Sequence, residues 1–278
     1  MAENGKNAGH LHNTVRTMSF GTMWFLLRYP FVFLTVAVFL PLMGEDRYGR
    51  YSFFMSIFLI WDTLTQIGNT QIFGRFLPER GRDRNAASRM LRGMLFYNIV
   101  IALFVTGIAL VFFGFFRPEG FSLLWLLILC LLLLVGKVQG VLYAFLYGMN
   151  RIGQFSARET MRSAFTFVFT VAMYKLWGLN GALWGLVLNE VALSAVALWW
   201  TKGYLLRKKA TPITFAEFGP FLLFGAAFYI PTVLMTVLQR CGNIFISQLT
   251  CSFEQVSYFD IANQFLLLTG MFLVIIMT

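Results

Sequence analysis

Histidine, the side chain best matched to proton transfer near neutral pH and to metal ligation, is almost missing: there are 2, His10 and His12, both in the N-terminal tail. Charge is scarce as well, at 12% of the chain, against about a quarter in ordinary soluble domains. The 3 cysteines are spread out, with Cys130 inside an apolar run and Cys241 and Cys251 flanking a short connection. That pair is compatible with a disulfide in an oxidising compartment or with free thiols. No glycine loop of the phosphate-cradling kind and no cluster with metal-ligand spacing occurs, and no connection exceeds about twenty residues. Enzymes need positioned acid–base or metal groups, so these absences weigh against a membrane enzyme such as a glycosyl-lipid transferase, although aspartates alone could still serve. No cofactor is expected.

What the chain has is apolar sequence. Of its 278 residues 58% are hydrophobic, and the mean hydropathy is +0.71. The reading is an all-α, polytopic transmembrane protein of about eight spans. The net charge of +10 would suggest nucleic acid in a soluble chain, but here the basic residues sit in short segments between apolar runs, where they orient helices. No nucleic-acid partner follows from them. The 32 Phe and 7 Trp are read as lipid-facing or interfacial residues.

The first eighteen residues are polar, and the apolar run behind them lacks a small-residue cleavage site, so it is read as an uncleaved first helix, Ser19 to Met43, interrupted by Arg28 and Pro30. A second helix, Ser52 to Gly74, carries Asp62. On one helix, Asp62, Thr65, Gln66 and Asn69 would share a face, a polar stripe needing water or partner helices. A burst of arginines from Arg75 to Arg92 follows. The third span is Gly93 to Phe116, and Arg117-Pro-Glu-Gly120 turns the chain. The fourth, Phe121 to Gly148, carries Lys137 and the four-residue repeat Gly136, Gly140, Ala144 and Gly148, read as helix packing. After a basic connection, Asn150 to Arg162, a fifth span ends near Lys175, and Gly178-Leu-Asn-Gly181 turns into a sixth bearing Glu190. Lys202 to Pro220 is the longest polar connection. Span seven, Glu217 to Leu238, contains Pro231, and span eight runs from Glu254 to Thr278.

Alternating sides from a cytoplasmic N-terminus puts Lys6, Arg16, the arginines from 75 to 92, Arg151, Arg158, Arg162, Lys202, Arg207, Lys208 and Lys209 inside. Only Arg47, Arg50, Arg117, Lys175 and Arg240 fall outside. That bias favours the N-in orientation.

The run Leu42-Met-Gly-Glu-Asp-Arg-Tyr-Gly-Arg-Tyr-Ser52, followed by Gln66-Ile-Gly68 and Gly74-Arg-Phe-Leu-Pro-Glu79, resembles the N-terminal signature of the polysaccharide transporters, Wzx-like flippases of lipid-linked oligosaccharides. They belong to the multidrug, oligosaccharidyl-lipid and polysaccharide flippase superfamily. A fainter internal echo pairs Tyr29-Pro30 with Ile230-Pro231 and Gly49-Arg-Tyr51 with Val256-Ser-Tyr258. The resemblance implies two six-helix lobes. Residues 1–18 would be a cytoplasmic tail, 19–201 the first lobe, 202–216 a cytoplasmic connection and 217–278 the first two helices of a second lobe. Either the chain is a piece of a longer one or a partner chain supplies the remaining helices; the charge-poor end at Leu266 to Thr278 is read as truncation.

Ionisable residues within spans each cost at least ~2.5 kcal/mol at a helix centre unless they face protein or water. Arg28, Asp62, Lys137, Glu190 and Asp260 are those residues. Each could equally belong to a structural ion pair, but Asp62 and Asp260 each lie in an extended polar face, Asp260 beside Ser257, Asn263 and Gln264. The resemblance implies passage of a polyprenyl-diphosphate-linked glycan across the bacterial inner membrane by alternating access, with the tail in the lipid bilayer. A diphosphate asks for cations, and Arg28 and Lys137 supply them. Thr65, Gln66 and Asn69 would contact sugar hydroxyls, and Asp62, Glu190 or Asp260 would take a coupling proton or Na⁺. Arg28 and Asp62, at similar depth on adjacent spans, are a candidate pair. The alternative in the same superfamily, a drug or cation antiporter, would prefer acidic cavities.

Overall fold

Apolar runs in a bilayer must satisfy their backbone groups internally, which leaves the helix as the local solution for this sequence. The computed structural model of the chain describes residues 23, 27, 28, 30–35, 37–80, 83–115, 121–207 and 215–277. Among them are α1 (Pro30–Met43), α2 (Glu45–Leu64), α3 (Asn69–Arg80), α4 (Arg84–Phe115), α5 (Leu123–Gly148), α6 (Ile152–Leu205), α7 (Phe215–Thr250) and α8 (Phe253–Met277), and no strand. Four of these, α4 to α7, are long and apolar enough to cross a membrane. The N-terminal tail, the 117–120 turn, Arg82 and the lysines at 208 and 209 lie outside the described residues.

Three boundaries differ from expectation. The stretch 52–74 is not one helix: α2 ends at Leu64, and α3 starts afresh at Asn69. Gly68 takes φ +70° there, a left-handed conformation that glycine adopts without a Cβ penalty, so the polar stripe is divided between two helices. The segment 150–162 is not a connection, because α6 begins at Ile152. The third difference lies in α7, which passes Leu238 and continues to Thr250, leaving only Cys251 and Ser252 before α8. Its polar residues find partners across the helix interface: Arg240 reaches Asp260, and Asn243 donates to Ser56 and Asp260. Cys130, Cys241 and Cys251 are free thiols.

The turn at 178–181 is as expected. Within α6 the backbone leaves helical geometry at Trp177 and Gly178, the latter with φ +60°, and two arms pack against each other. A Cβ on Gly181 would stand 2.0 Å from the Met173 carbonyl oxygen, and one on Gly185 2.8 Å from that of Phe169. These contacts define a tight helical hairpin.

Helix α4 shows how lipid replaces water as the outer solvent. Its buried positions include Asn98, Ala102, Thr106 and Ala109, whereas Phe96, Val100, Leu103, Phe104 and Val111 face outward. Small inward side chains let neighbours approach, and large apolar ones meet acyl chains. Inside the bundle are two apolar clusters. One gathers Phe39, Tyr51, Phe54, Trp125, Leu129 and Leu183; the other gathers Phe73, Leu91, Leu142, Phe145, Leu193 and Phe218. On α5 the clusters occupy positions up to 133 and from 141 onward, and on the second arm of α6 they fall before and after Glu190. Lys137 and Glu190 therefore sit in a polar layer between two greasy ones, at the level where α2 gives way to α3.

Candidate functional site

Asp62 stands in the last turn of α2, facing α5. Lys137, with a side chain only 4% exposed, places Nζ 2.8 Å from Asp62 Oδ1 and donates to the Asp62 backbone carbonyl at 2.8 Å. The second contact is made at the last turn of α2, where carbonyls lose their regular i+4 donors. Thr65 uses the same carbonyl, its Oγ1 donating at 2.6 Å, and Gln66 Nε2 donates to Asp62 Oδ2 at 3.0 Å. The Asp62 carbonyl at the helix end thus serves the Thr65 backbone N–H at 3.1 Å, the Thr65 hydroxyl and the Lys137 ammonium together.

The first arm of α6 supplies the rest. Arg162 Nη2 pairs with Glu190 Oε1 at 2.9 Å across the hairpin. Arg158 Nη2 donates to Gln139 Oε1 at 3.0 Å, and its guanidinium lies 5.5 Å from the Tyr143 ring centroid. Glu159 bridges Arg28 at 3.3 Å and Arg158 at 3.7 Å. The network holds four cations, Arg28, Lys137, Arg158 and Arg162, against three carboxylates, Asp62, Glu159 and Glu190. Several of its buried polar atoms have no protein partner: Arg158 Nε, Arg162 Nε, Gln139 Nε2, Tyr143 Oη and Glu190 Oε2.

A cavity of about 160 Å³ opens onto this layer. Asp62, Gln66, Asn69, Lys137, Arg158, Arg162 and Tyr229 contribute its polar lining, and Phe58 and Phe228 its apolar part. Gly136 and Gly140 form one wall. A Cβ on Gly140 would meet nothing within 4 Å, so this glycine leaves space and does not serve helix packing. Farther along the repeat, Gly148 does pack, its would-be Cβ 2.6 Å from the Phe73 carbonyl oxygen. A larger space of about 770 Å³ adjoins the cavity, sharing Thr70, Gln71 and Phe228 with it and reaching Pro78 and Asn150.

The sequence-expected residues are thereby sorted. Asp62, Lys137, Gln66 and Asn69 meet at the cavity, Asn69 also exchanging amide hydrogen bonds of 2.9 and 3.0 Å with Asn98. Glu190 stands behind Arg162. Thr65 is buried with its hydroxyl turned back onto the helix end. Arg28 pairs with Glu159, whereas Asp62 pairs with Lys137; Arg28 and Asp62 are not partners. Asp260 belongs to another cluster, between α2, α7 and α8. It accepts from Tyr48 at 3.2 Å, Ser52 at 3.1 Å, Asn243 at 3.0 Å and Gln264 at 2.7 Å, with Arg240 at 3.5 Å.

Arg158 and Arg162 are not among the sequence-expected site residues, because arginines in a basic segment between apolar runs read as topology signals. Their separation of four residues, with Glu159 between them, is the signal that could have found them: one helical face carrying two guanidiniums.

Two solved structures are similar to this chain. An outward-facing multidrug resistance MATE family transporter of the MOP superfamily is 16% identical with a TM-score of 0.52, over 91% of this chain and 58% of that one. A MOP superfamily transporter from Pyrococcus furiosus is 18% identical with a TM-score of 0.47, over 84% and 52%. The chain therefore spans little more than half the length of either. No curated protein matches it. The family described as "Polysaccharide biosynthesis protein" matches residues 15–278, and with its apolar helices the chain is a multi-pass membrane protein that belongs to that family.

Proposed function

We propose that the chain forms one wall of a transport pathway for polyprenyl-diphosphate-linked glycans, crossing the bacterial inner membrane by alternating access with its N-terminus in the cytoplasm. The observation that carries this reading is the unfilled donor set at the cavity. Arg158, Arg162 and Lys137 outnumber Asp62 among the charged lining residues, and the Arg158 and Arg162 Nε groups lack protein partners. Buried donors without acceptors are costly, and a diphosphate supplies acceptors matched to guanidinium geometry. Gln66, Asn69 and Thr70 offer hydrogen bonds to sugar hydroxyls beside it.

Cation antiport is the reading this charge balance disfavours, since an organic cation would meet three positive side chains and one already-paired carboxylate. Asp62, Glu190 and Asp260 remain the groups for a coupling proton or Na⁺, Asp260 from outside the cavity. The test is export in cells that depend on this protein for surface polysaccharide. Arg158→Gln, which leaves Glu159 still paired with Arg28, should leave membrane abundance close to normal and sharply reduce surface glycan. Undiminished glycan at equal abundance would contradict the assignment.

A further inference from the structure

Glu190 is the buried carboxylate with the fewest attachments in the polar layer. Its side chain is 5% exposed. Oε1 accepts from Arg162, and Oε2 has no partner. Oε2 is aimed at the glycine wall of the cavity: a Cβ on Gly136 would stand 3.9 Å from it and 3.8 Å from Asp62 Oδ1. Two carboxylates thus lie close to one glycine, but only one of them is well held. Asp62 has the Lys137 ammonium and the Gln66 amide; Glu190 has a single guanidinium, and that guanidinium lines the cavity.

We propose that anion binding in this cavity is coupled to proton uptake by Glu190, with Arg162 as the shared partner. The inference rests on the anion-site reading given above. An anion entering the cavity draws the Arg162 fork toward itself, and the Oε1 contact opens. Glu190 then keeps no direct cationic partner inside a region that is almost dry, where an unpaired carboxylate neutralises more readily than it persists. One proton moves from solvent to the carboxylate; no other bond is made or broken. The remaining charged and titratable groups around Glu190 are Arg158 and Glu159 on its own hairpin, Lys137 and Tyr143 on α5, and Asp62 on α2. Arg158 is engaged by Gln139 and Glu159. Lys137 is the one cation that could replace Arg162, but it holds Asp62 through two 2.8 Å contacts, and leaving would strand that carboxylate. Proton and anion therefore bind together, and by reciprocity protonation of Glu190 strengthens anion binding.

The experiment is calorimetric titration of the purified full chain in detergent with inorganic pyrophosphate, repeated at one pH in buffers of different ionisation enthalpy. The wild-type protein should take up about one proton more per pyrophosphate bound than Glu190→Gln does; the difference between the two cancels the probe's own protonation. The variant should still bind pyrophosphate. Equal uptake by both proteins overturns the coupling and points to Lys137 changing partners, leaving the anion site standing. Failure of the wild-type chain to bind pyrophosphate at millimolar concentration removes the anion site, and this inference with it. If Glu190→Gln does not fold, the wild-type chain still decides. Its affinity should fall up to tenfold per pH unit as pH rises through the range where uptake occurs, beyond the change that pyrophosphate's own titration produces, and a profile explained by the probe alone overturns the proposal.

Discussion

Lys137 reaches Asp62 twice, through the carboxylate and through the backbone carbonyl, at 2.8 Å each. One ammonium therefore neutralises the acid and also caps α2 where the helix stops. Removing either partner leaves the other buried with no counter-charge, a loss that commonly costs about 3 kcal/mol or more. Lys137→Met alone and Asp62→Asn alone should each lower the unfolding midpoint in detergent, and the double variant should recover much of the loss. Additive effects would show that the pair is not a unit.

Close helix approach makes a second, steric prediction. A Cβ on Gly49 would lie 1.7 Å from the Phe253 carbonyl oxygen, and one on Gly225 2.1 Å from that of Ile67. Both obstacles are backbone, so Gly49→Ala and Gly225→Ala must push α8 and α7 away from their neighbours. Gly107 has nothing within 4 Å, and Gly107→Ala should be neutral or stabilise by roughly 0.5–1 kcal/mol through helix propensity. Thermal unfolding of the three variants checks the order. Equal tolerance at all three positions would contradict the packing described.

The Asp260 cluster joins three helices through one carboxylate. Asp260→Asn replaces an acceptor that serves Tyr48, Ser52, Asn243, Gln264 and Arg240 by a group with half the accepting capacity. A loss of about 1–3 kcal/mol is expected, with accelerated proteolysis at the exposed Cys251–Ser252 connection between α7 and α8. Unchanged stability and protection would show that α7 and α8 are held by apolar contact alone.

How much of this was legible beforehand depends on which neighbour fixed each residue. The helical character of the chain, the hairpin at Gly178 and the placement of Asp62, Lys137 and Glu190 in ion pairs within the bundle follow from local pattern: long apolar runs, a glycine-bounded turn and isolated charges in greasy surroundings. The break at Thr65 to Gly68 does not, because the stripe of Asp62, Gln66 and Asn69 suits a continuous helix equally well, and only the packing of α7 against Gly68 and Ile67 decides otherwise. The partner of Asp62 was likewise a tertiary matter. Depth along adjacent spans favours Arg28, but Arg28 is held by Glu159 on α6. Arg158 and Arg162 went unread because a basic segment between spans looks the same whether its arginines face the aqueous phase or the bundle interior.

Orientation can be tested with a native residue. Cys251 is exposed at the α7–α8 connection, whereas Cys130 and Cys241 are half-buried. With the N-terminus inside, Cys251 faces the outer side, and a membrane-impermeant maleimide should label it in spheroplasts. Cys251→Ser should remove that labelling. Labelling only after the membrane is opened would reverse the orientation.

The ligand proposed for the cavity beside Lys137, Arg158 and Arg162 is a diphosphate. Equilibrium binding of farnesyl diphosphate to the purified chain, compared with farnesyl monophosphate and with a lipophilic quaternary ammonium, tests it most directly. The diphosphate should bind at least tenfold more tightly than the monophosphate, a difference of about 1.4 kcal/mol, added salt should weaken it, and Arg158→Gln together with Arg162→Gln should abolish the preference. Tighter binding of the ammonium compound, or a diphosphate affinity that survives loss of both arginines, would contradict that assignment.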